Sequence, residues 1–182
     1  MKFSFILMVS IILVAGCVQQ EEVSIKEVSI PGHNDIYTFT NDLRESLQVA
    51  ADDPQEIRQK FFSGSMNLVF DGSSQQDNAY FTVIMTNIMA KIPIYLAYEG
   101  VLMEFQPYYF VENVWYDRSG NEIEKPALTG PTLWLRGPAT GAENVSLSVT
   151  DNTITLQGTS YKELTLAADK LVLIVMDISS IP

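Results

Sequence analysis

Two polar loops contain the residues best suited to binding a ligand. The first, "FDGSSQQDN" (70–78), joins a predicted strand to a predicted helix. The second, "LRGPATGAEN" (135–144), follows another predicted strand. Helix N-termini offer free backbone amides to anions, and open α/β sheets tend to place ligands beyond the ends of their strands. If the two strands are parallel neighbours, both loops lie at one edge of the sheet and form a cleft.

The residues expected to line this cleft are Asp71, Ser73, Ser74, Asn78, Arg136 and Thr140. In this hypothesis the Arg136 guanidinium binds a carboxylate or phosphate in a bidentate manner. A simpler interpretation is structural, because loops need these residue types anyway. Asp71-Gly72 and Gly137-Pro138 then turn the chain, and Asp77 caps the helix. Under that interpretation Arg136 pairs with an acid such as Asp71 or Glu143.

Residues for catalysis or metal binding are scarce. Cys17 is the only cysteine and His33 the only histidine, which excludes a multi-histidine metal centre and a histidine-assisted nucleophile within the domain. The segment "DRSGNEIE" (117–124) begins like a calcium loop, but its twelfth position is Leu128 instead of an acid, so we predict a turn. The sequence therefore predicts no catalytic residue, no metal and no cofactor.

One enzymatic alternative uses carboxylates alone. Glu99, Glu104 and Glu112 lie near predicted strands that are rich in tyrosine, as in the sugar sites of glycoside hydrolases. An anchored hydrolase or carbohydrate-active enzyme using Asp or Glu is therefore an alternative function. A small solute-binding protein is another.

The elements that position these loops follow from local patterns. Asp53, Pro54 and Glu56 predict the start of a helix, and Ser160 with Glu163 predicts another. Four-residue spacing predicts a largely buried helix over 79–91, in which Asn87 is the odd polar residue. Apolar, β-branched or aromatic runs predict strands at 66–70, 92–99, 102–111 and 132–137, and alternation predicts a hairpin over 145–156. The run "LVLIVM" (171–176) fits a strand or a helix, with its β-branched content slightly favouring a strand.

This order of elements predicts an α/β (or α+β) fold: a single domain with a mixed β-sheet and two to four helices packed on it. The chain has 22 acidic and 11 basic residues and a net charge of −11. Phosphate backbones would repel such a surface, so we expect no nucleic-acid partner.

The N-terminus carries a targeting pattern. Lys2 precedes a 12-residue apolar run at residues 3–14, which is too short to span a hydrocarbon core of about 30 Å. The four residues Val14-Ala15-Gly16-Cys17 resemble the lipobox of prokaryotic lipoproteins. This resemblance implies cleavage before Cys17 and a lipid on its thiol. The expected organisation is a signal peptide at 1–16, a lipidated cysteine and flexible tether at 17–36, and one globular domain at 37–182. Alternation in "VSIKEVSI" (23–30) instead fits a short edge strand.

The sequon Asn144-Val145-Ser146 predicts an exposed residue, Asn144, that is glycosylated in a host with N-glycosylation. Together with the acidic balance and the signal, it makes the chain similar in type to envelope lipoproteins of archaea. We therefore expect a lipoprotein held by Cys17 on the extracytoplasmic face of the cell membrane. Its expected role is a non-enzymatic binding or assembly module whose partner is an envelope protein or a small ligand.

Overall fold

A computed structural model of the chain describes residues 24–72 and 75–181. The predicted signal peptide, Cys17, Ser73 and Ser74 lie outside this range. The strands are β1 Glu27–Ser29, β2 Ile36–Thr38, β3 Ala50–Ala51, β4 Ser65–Asp71, β5 Glu104–Val111, β6 Val114–Tyr116, β7 Glu122–Ile123, β8 Thr132–Arg136, β9 Ser146–Thr150 and β10 Thr153–Gln157. The helices are α1 Leu43–Leu47, α2 Pro54–Phe61, α3 Gln75–Met89, α4 Ile92–Tyr98 and α5 Tyr161–Val175, and a 3₁₀ turn covers Pro138–Thr140.

The predicted fold class is confirmed. Eight strands form one mixed sheet in the order β3-β9-β10-β8-β4-β5-β6-β7, and β1 and β2 form a separate antiparallel pair. The four central strands β10, β8, β4 and β5 run parallel, while β9, β6 and β7 add antiparallel pairs. The described helices pack on one face of this sheet and form a single core with it.

Strand alternation separates two environments. On β4, Met66, Leu68 and Phe70 point into the core under the helices. The intervening Val69 is also fully buried, but it lies on the opposite face, because successive strand residues alternate in direction. Parallel sheets are usually covered on both faces. Here the second face is covered differently.

An aromatic cluster occupies that second face. Phe110, Trp115 and Trp134 come from β5, β6 and β8, with ring centroids 4.8 to 6.2 Å apart. Trp115 is 7% exposed. Asn67, on the same face, donates to the carbonyl of Thr129, so the chain entering β8 passes this edge of the sheet. Side chains and a loop therefore shield a sheet face on which no described helix lies.

Two segments with β-branched or aromatic composition are helical. The prediction of a strand at 92–99 is wrong, because Pro93 starts helix α4 and Ile92, Leu96 and Tyr95 bury one helical face. The run at 171–176 continues α5 to Val175. The second half of this helix is buried almost all round, so its apolar residues carry no periodicity that would separate helix from strand.

Within the described residues, the stretch Ala79–Tyr98 is long and apolar enough to cross a membrane by length and composition alone. It combines most of α3 with α4, and 44% of its apolar 18-residue segment is buried inside the fold. Core helices of soluble proteins meet the same criterion, so this stretch is weak evidence for a membrane span.

The range 17–36, expected as a tether, contains ordered structure from its described part onward. β1 pairs with β2 in antiparallel register, as the alternative interpretation of "VSIKEVSI" proposed, and Val28 packs against the core. His33 lies over Tyr98, with ring centroids 4.2 Å apart, and its side chain is only 7% exposed. The Tyr37 hydroxyl lies 3.1 Å from His33 Nδ1, and burial, with Asp35 nearby, raises the pKa of Tyr37 to about 12.

Pro107 lies inside β5 without breaking its ladder. The amide of Glu104 and the carbonyl of Phe110 bond on the β4 side, so the even-numbered residues face β4. Pro107 therefore faces the other side, where β6 pairs only with residues 109–111. A proline tolerated at an unpaired edge lacks the N–H that another strand would need.

A buried carboxylate connects three elements. Asp169 of α5 is fully buried. It accepts hydrogen bonds from the Asn41 amide and side chain at 3.2 and 2.7 Å, and from the Asn87 side chain of α3 at 2.6 Å. Lys91 donates to Asn87 Oδ1 and lies 5.2 Å from the centroid of the Phe39 ring. Burial raises the pKa of Asp169 and lowers the pKa of Lys91.

Replacing Asp169 with asparagine should destabilise the fold. The side-chain amide introduced by Asp169→Asn would face donors, leaving buried N–H groups unpaired at a cost of about 1–3 kcal/mol. Chemical denaturation at pH 7 would measure the free energy of unfolding. Asp177→Asn is the control, because Asp177 is exposed and asparagine tolerates its positive φ of 61°. Equal stability of the two variants would contradict a structural role for the carboxylate.

Comparing wild type with Asp169→Asn at several pH values tests whether the pKa of Asp169 is raised. A folded-state pKa above the unfolded value means that the contribution of Asp169 to stability is full below its ordinary pKa. That contribution is lost as the pH rises through the raised value. The stability difference between wild type and Asp169→Asn should therefore shrink as the pH rises above the ordinary Asp pKa of 3.8. A difference that grows with pH would indicate a lowered pKa instead.

Candidate functional site

The two predicted loops leave the same edge of the sheet. β4 and β8 are parallel neighbours, and Asp71 is the register partner of Arg136. The Gly137 amide donates to the Asp71 carbonyl at 2.9 Å. The structure therefore brings together Asp71, Arg136 and Thr140, as the cleft hypothesis required. Of the remaining three predicted residues, Ser73 and Ser74 lie outside the described part, and Asn78 is placed only by its backbone in the first turn of α3.

The polar groups at this edge mainly bind one another. The Arg136 Nη2 donates to the Thr140 carbonyl at 2.8 Å, Nη1 lies 3.4 Å from the Gln157 side-chain oxygen, and Nε is 3.8 Å from Asp71 Oδ2. The same Asp71 oxygen accepts from Trp134 Nε1 at 3.0 Å. This arrangement matches the structural alternative, in which Arg136 pairs with Asp71. Ligand binding by these residues stays a prediction.

Asp77 lies beneath both loops. It is 1% exposed in the first turn of α3, and the Tyr161 hydroxyl of α5 donates to it at 2.7 Å. A Cβ on Gly72 would lie 2.8 Å from Asp77 Cβ, and one on Gly137 would lie 2.9 Å from Asp77 Oδ1. These two glycines therefore leave the space that the carboxylate occupies. The sequence offered Asp77 only as a helix cap.

The structure also places the predicted turn at Asp117 and the predicted glycosylation residue, Asn144. Asp117 accepts from the amides of Ser119 and Asn121 at 2.8 and 3.0 Å, so the predicted turn is confirmed. The hydrogen bond from the Asn121 side chain, together with these two backbone bonds, lowers the pKa of Asp117. Within residues 24–72 and 75–181, no group of three His, Cys, Asp or Glu residues is arranged to hold a metal ion. Asn144 is exposed, as the sequon hypothesis requires.

The carboxylates of the enzymatic alternative do not all converge. Glu104 begins β5, and Glu112 follows its last residue. At about 3.3 Å per residue, these two lie roughly 26 Å apart. Paired glycosidase carboxylates are separated by about 5–9.5 Å, so Glu104 and Glu112 cannot form such a pair.

A groove opens where the sheet extends beyond the helix layer. Its volume is about 720 Å³. Phe81, Met85 and Met89 of α3 line one wall. The other wall is the core-facing side of β5, whose residues in the groove are Phe105, Pro107 and Tyr109. Met85 is buried, as expected for a largely buried helix over 79–91, but Met89 is 48% exposed at the opening.

Arg118 lies at the rim of this groove. It is exposed and follows β6, close to the unpaired part of β5. Among the described residues it forms no ion pair, unlike Arg136. It also lines a polar groove of about 580 Å³ that includes Asn67 and Gln106 on the other sheet face. The α3–β5 groove thus combines an apolar body with a cation at its opening.

Comparison of the chain with known protein families, with curated proteins and with solved structures finds no match.

Changing Gly137 to alanine tests whether the two loops are fitted around Asp77. Gly137 has φ of −68°, which any residue adopts, so only space opposes the substitution. Overpacking of this kind costs about 1–3 kcal/mol, measurable as a loss in the free energy of unfolding. In an Asp77→Ala background the contacting carboxylate atoms are absent, so the cost of Gly137→Ala should fall. Equal costs in both backgrounds would show that Asp77 does not require the glycine.

Proposed function

We propose that this protein is a lipid-anchored, extracytoplasmic binding module without enzymatic activity, and that the groove between α3 and β5 is its binding site. The observation that carries the binding role is the groove itself: apolar, about 720 Å³, and bordered by one exposed arginine. Small-molecule sites typically have volumes of about 300–1,000 Å³, apolar walls and few polar groups.

The groove suits an amphiphile with an anionic group. The rings of Phe81, Phe105 and Tyr109 and the thioethers of Met85 and Met89 offer apolar contact to a hydrocarbon body. Arg118 then pairs with a carboxylate or phosphate at the opening. The neighbouring Asp117 carboxylate interacts with Arg118 by charge, but it forms no direct ion pair with it and accepts hydrogen bonds from Ser119 and Asn121 instead. This cation stands out because the chain carries twice as many acidic as basic residues.

The anchor is proposed from the N-terminal sequence. An apolar run followed by Val14-Ala15-Gly16-Cys17 resembles a lipoprotein signal. A net charge of −11 opposes attachment to anionic headgroups, so a lipid on Cys17 would supply the attachment. One acyl chain binds membranes only marginally, and stable anchoring would therefore require two or more chains.

Cys17→Ser should leave an uncleaved precursor, because the acceptor of the lipid is lost. The wild-type protein should enter the detergent phase on phase partitioning, and its mature N-terminus should be a modified Cys17. Gln20→Ala is the control and should be processed normally. A wild-type chain that matures at another residue and stays in the aqueous phase would disprove the anchor.

Two arginine variants separate the groove from the carboxyl edge of the sheet. Calorimetric titration below the micelle concentration should show that dodecanoate binds more tightly than dodecyltrimethylammonium, which has the same chain and the opposite charge. Arg118→Gln should weaken dodecanoate binding about tenfold, as expected for loss of one charge-assisted contact of about 1.4 kcal/mol. Arg136→Gln should leave it unchanged.

The reverse result, with Arg136→Gln alone weakening dodecanoate binding, would place the site at the loops of Asp71 and Thr140. Binding that is equal for both amphiphiles and insensitive to either variant would contradict a role for a cation. Met89→Glu adds an independent test, since a carboxylate at the groove opening should repel the dodecanoate head.

A further inference from the structure

Four large apolar side chains are exposed on the β1–β2 pair and on the neighbouring helices α3 and α4. Ile36 of β2 is 66% exposed, Val83 of α3 is 54%, and Ile94 and Tyr98 of α4 are 43% and 45%. Isolated apolar residues at a surface need no explanation. These four, however, lie on one continuous surface, which we call the apolar band.

Two shallow depressions join Ile36, Val83 and Ile94. One is lined by Ile36, Thr38, Ala90 and Ile94, and the other by Thr38, Val83 and Ala90. They share Thr38 and Ala90, so the surface between them is continuous. Ile94 and Tyr98 are four residues apart on α4 and therefore lie on one helical face.

The apolar band presents little charge in a strongly acidic protein. The charged residues lining the two depressions are Asp35 and Lys91. Lys91 is 7% exposed and donates to Asn87. Asp35 accepts a hydrogen bond from the Tyr98 hydroxyl at 3.0 Å. Tyrosine beside aliphatic residues is typical of surfaces at the boundary between water and hydrocarbon.

The position of the first described residue, Ser24, favours a membrane as the surface that covers the apolar band. Ser24 follows Cys17 by seven positions, a chain that spans at most about 25 Å. A domain of this size is roughly 40 Å across, so the side of the domain opposite Ser24 cannot reach the membrane that holds Cys17, whereas the side around Ser24 can. Ser29 pairs with Ile36, and Ser24 precedes Ser29 by five residues, which places Ile36 within about 18 Å of Ser24.

We infer that the apolar band of Ile36, Val83, Ile94 and Tyr98 rests on the lipid surface and orients the domain on the membrane. This inference depends on the proposed lipid anchor at Cys17. The anchor supplies proximity, while the band selects which side faces the lipid.

Spin labelling of the lipidated full chain in phosphatidylcholine vesicles tests the orientation. Cys17 is the only native cysteine and its thiol carries the lipid, so a cysteine introduced by Ile94→Cys takes the label alone. The control is Thr150→Cys, an exposed position on the sheet face opposite the helices. The label at 94 should gain collisions with oxygen and lose collisions with a water-soluble nickel chelate, while the label at 150 shows the opposite.

Each other outcome has a distinct meaning. Vesicle-bound protein with equal accessibility at both positions would overturn the orientation and leave the lipid anchor intact. Protein that does not associate with vesicles would refute the anchor, and the inference with it. Dipolar broadening between labels at 94 would show a second copy on the band and overturn a lipid occupant. Adding Ile36→Glu should reduce oxygen collisions at 94 without releasing the protein, since the anchor is unchanged.

Discussion

The fold depends on a carboxylate that has no access to water. Asp169 is buried between α5, α3 and the turn before α1, and donors from Asn41 and Asn87 surround it. A buried charge is costly unless it is paired and fully hydrogen-bonded, so these three elements are compatible only in one relative placement. Apolar side chains alone would allow α5 to slide or rotate within its largely buried environment. The polar contacts supply specificity that the uniformly apolar end of this helix, residues 171–176, lacks.

Sequence patterns predicted elements where a local signal and the final environment agree. Asp53 caps α2, Ser160 caps α5, and alternation gives the β9–β10 hairpin. They did not predict α4, because its exposed face carries Ile94 and Tyr98 and is therefore as apolar as its buried face. They did not decide the second half of α5, because burial on all sides removes the contrast between apolar and polar faces. Asn87 was recognisable as an exception within α3. Its partner Asp169 is 82 positions away, and only tertiary structure brings the two together.

The two candidate sites differ in how much of each could be predicted from the sequence. The pairing of the loops after β4 and β8 was conditional on strand order, which local patterns do not contain, and the parallel register of Asp71 with Arg136 supplies it. The groove between α3 and β5 had no local signal. Its walls appear as ordinary core spacing, and it exists because β5, β6 and β7 extend beyond the helix layer. The sequence therefore indicated only that Arg118 lies in a turn.

The division of the sheet into a helical side and an aromatic side affects what optical spectroscopy can observe. Both tryptophans of the chain, Trp115 and Trp134, lie on the aromatic side, 5.9 Å apart and nearly perpendicular. Their intrinsic fluorescence and exciton signal report on that layer alone. Loosening of the helices around Asp169 would be silent at these wavelengths until the sheet itself separates. Circular dichroism in the peptide region sees the helices directly, and disagreement between the two probes would reveal layer-by-layer unfolding.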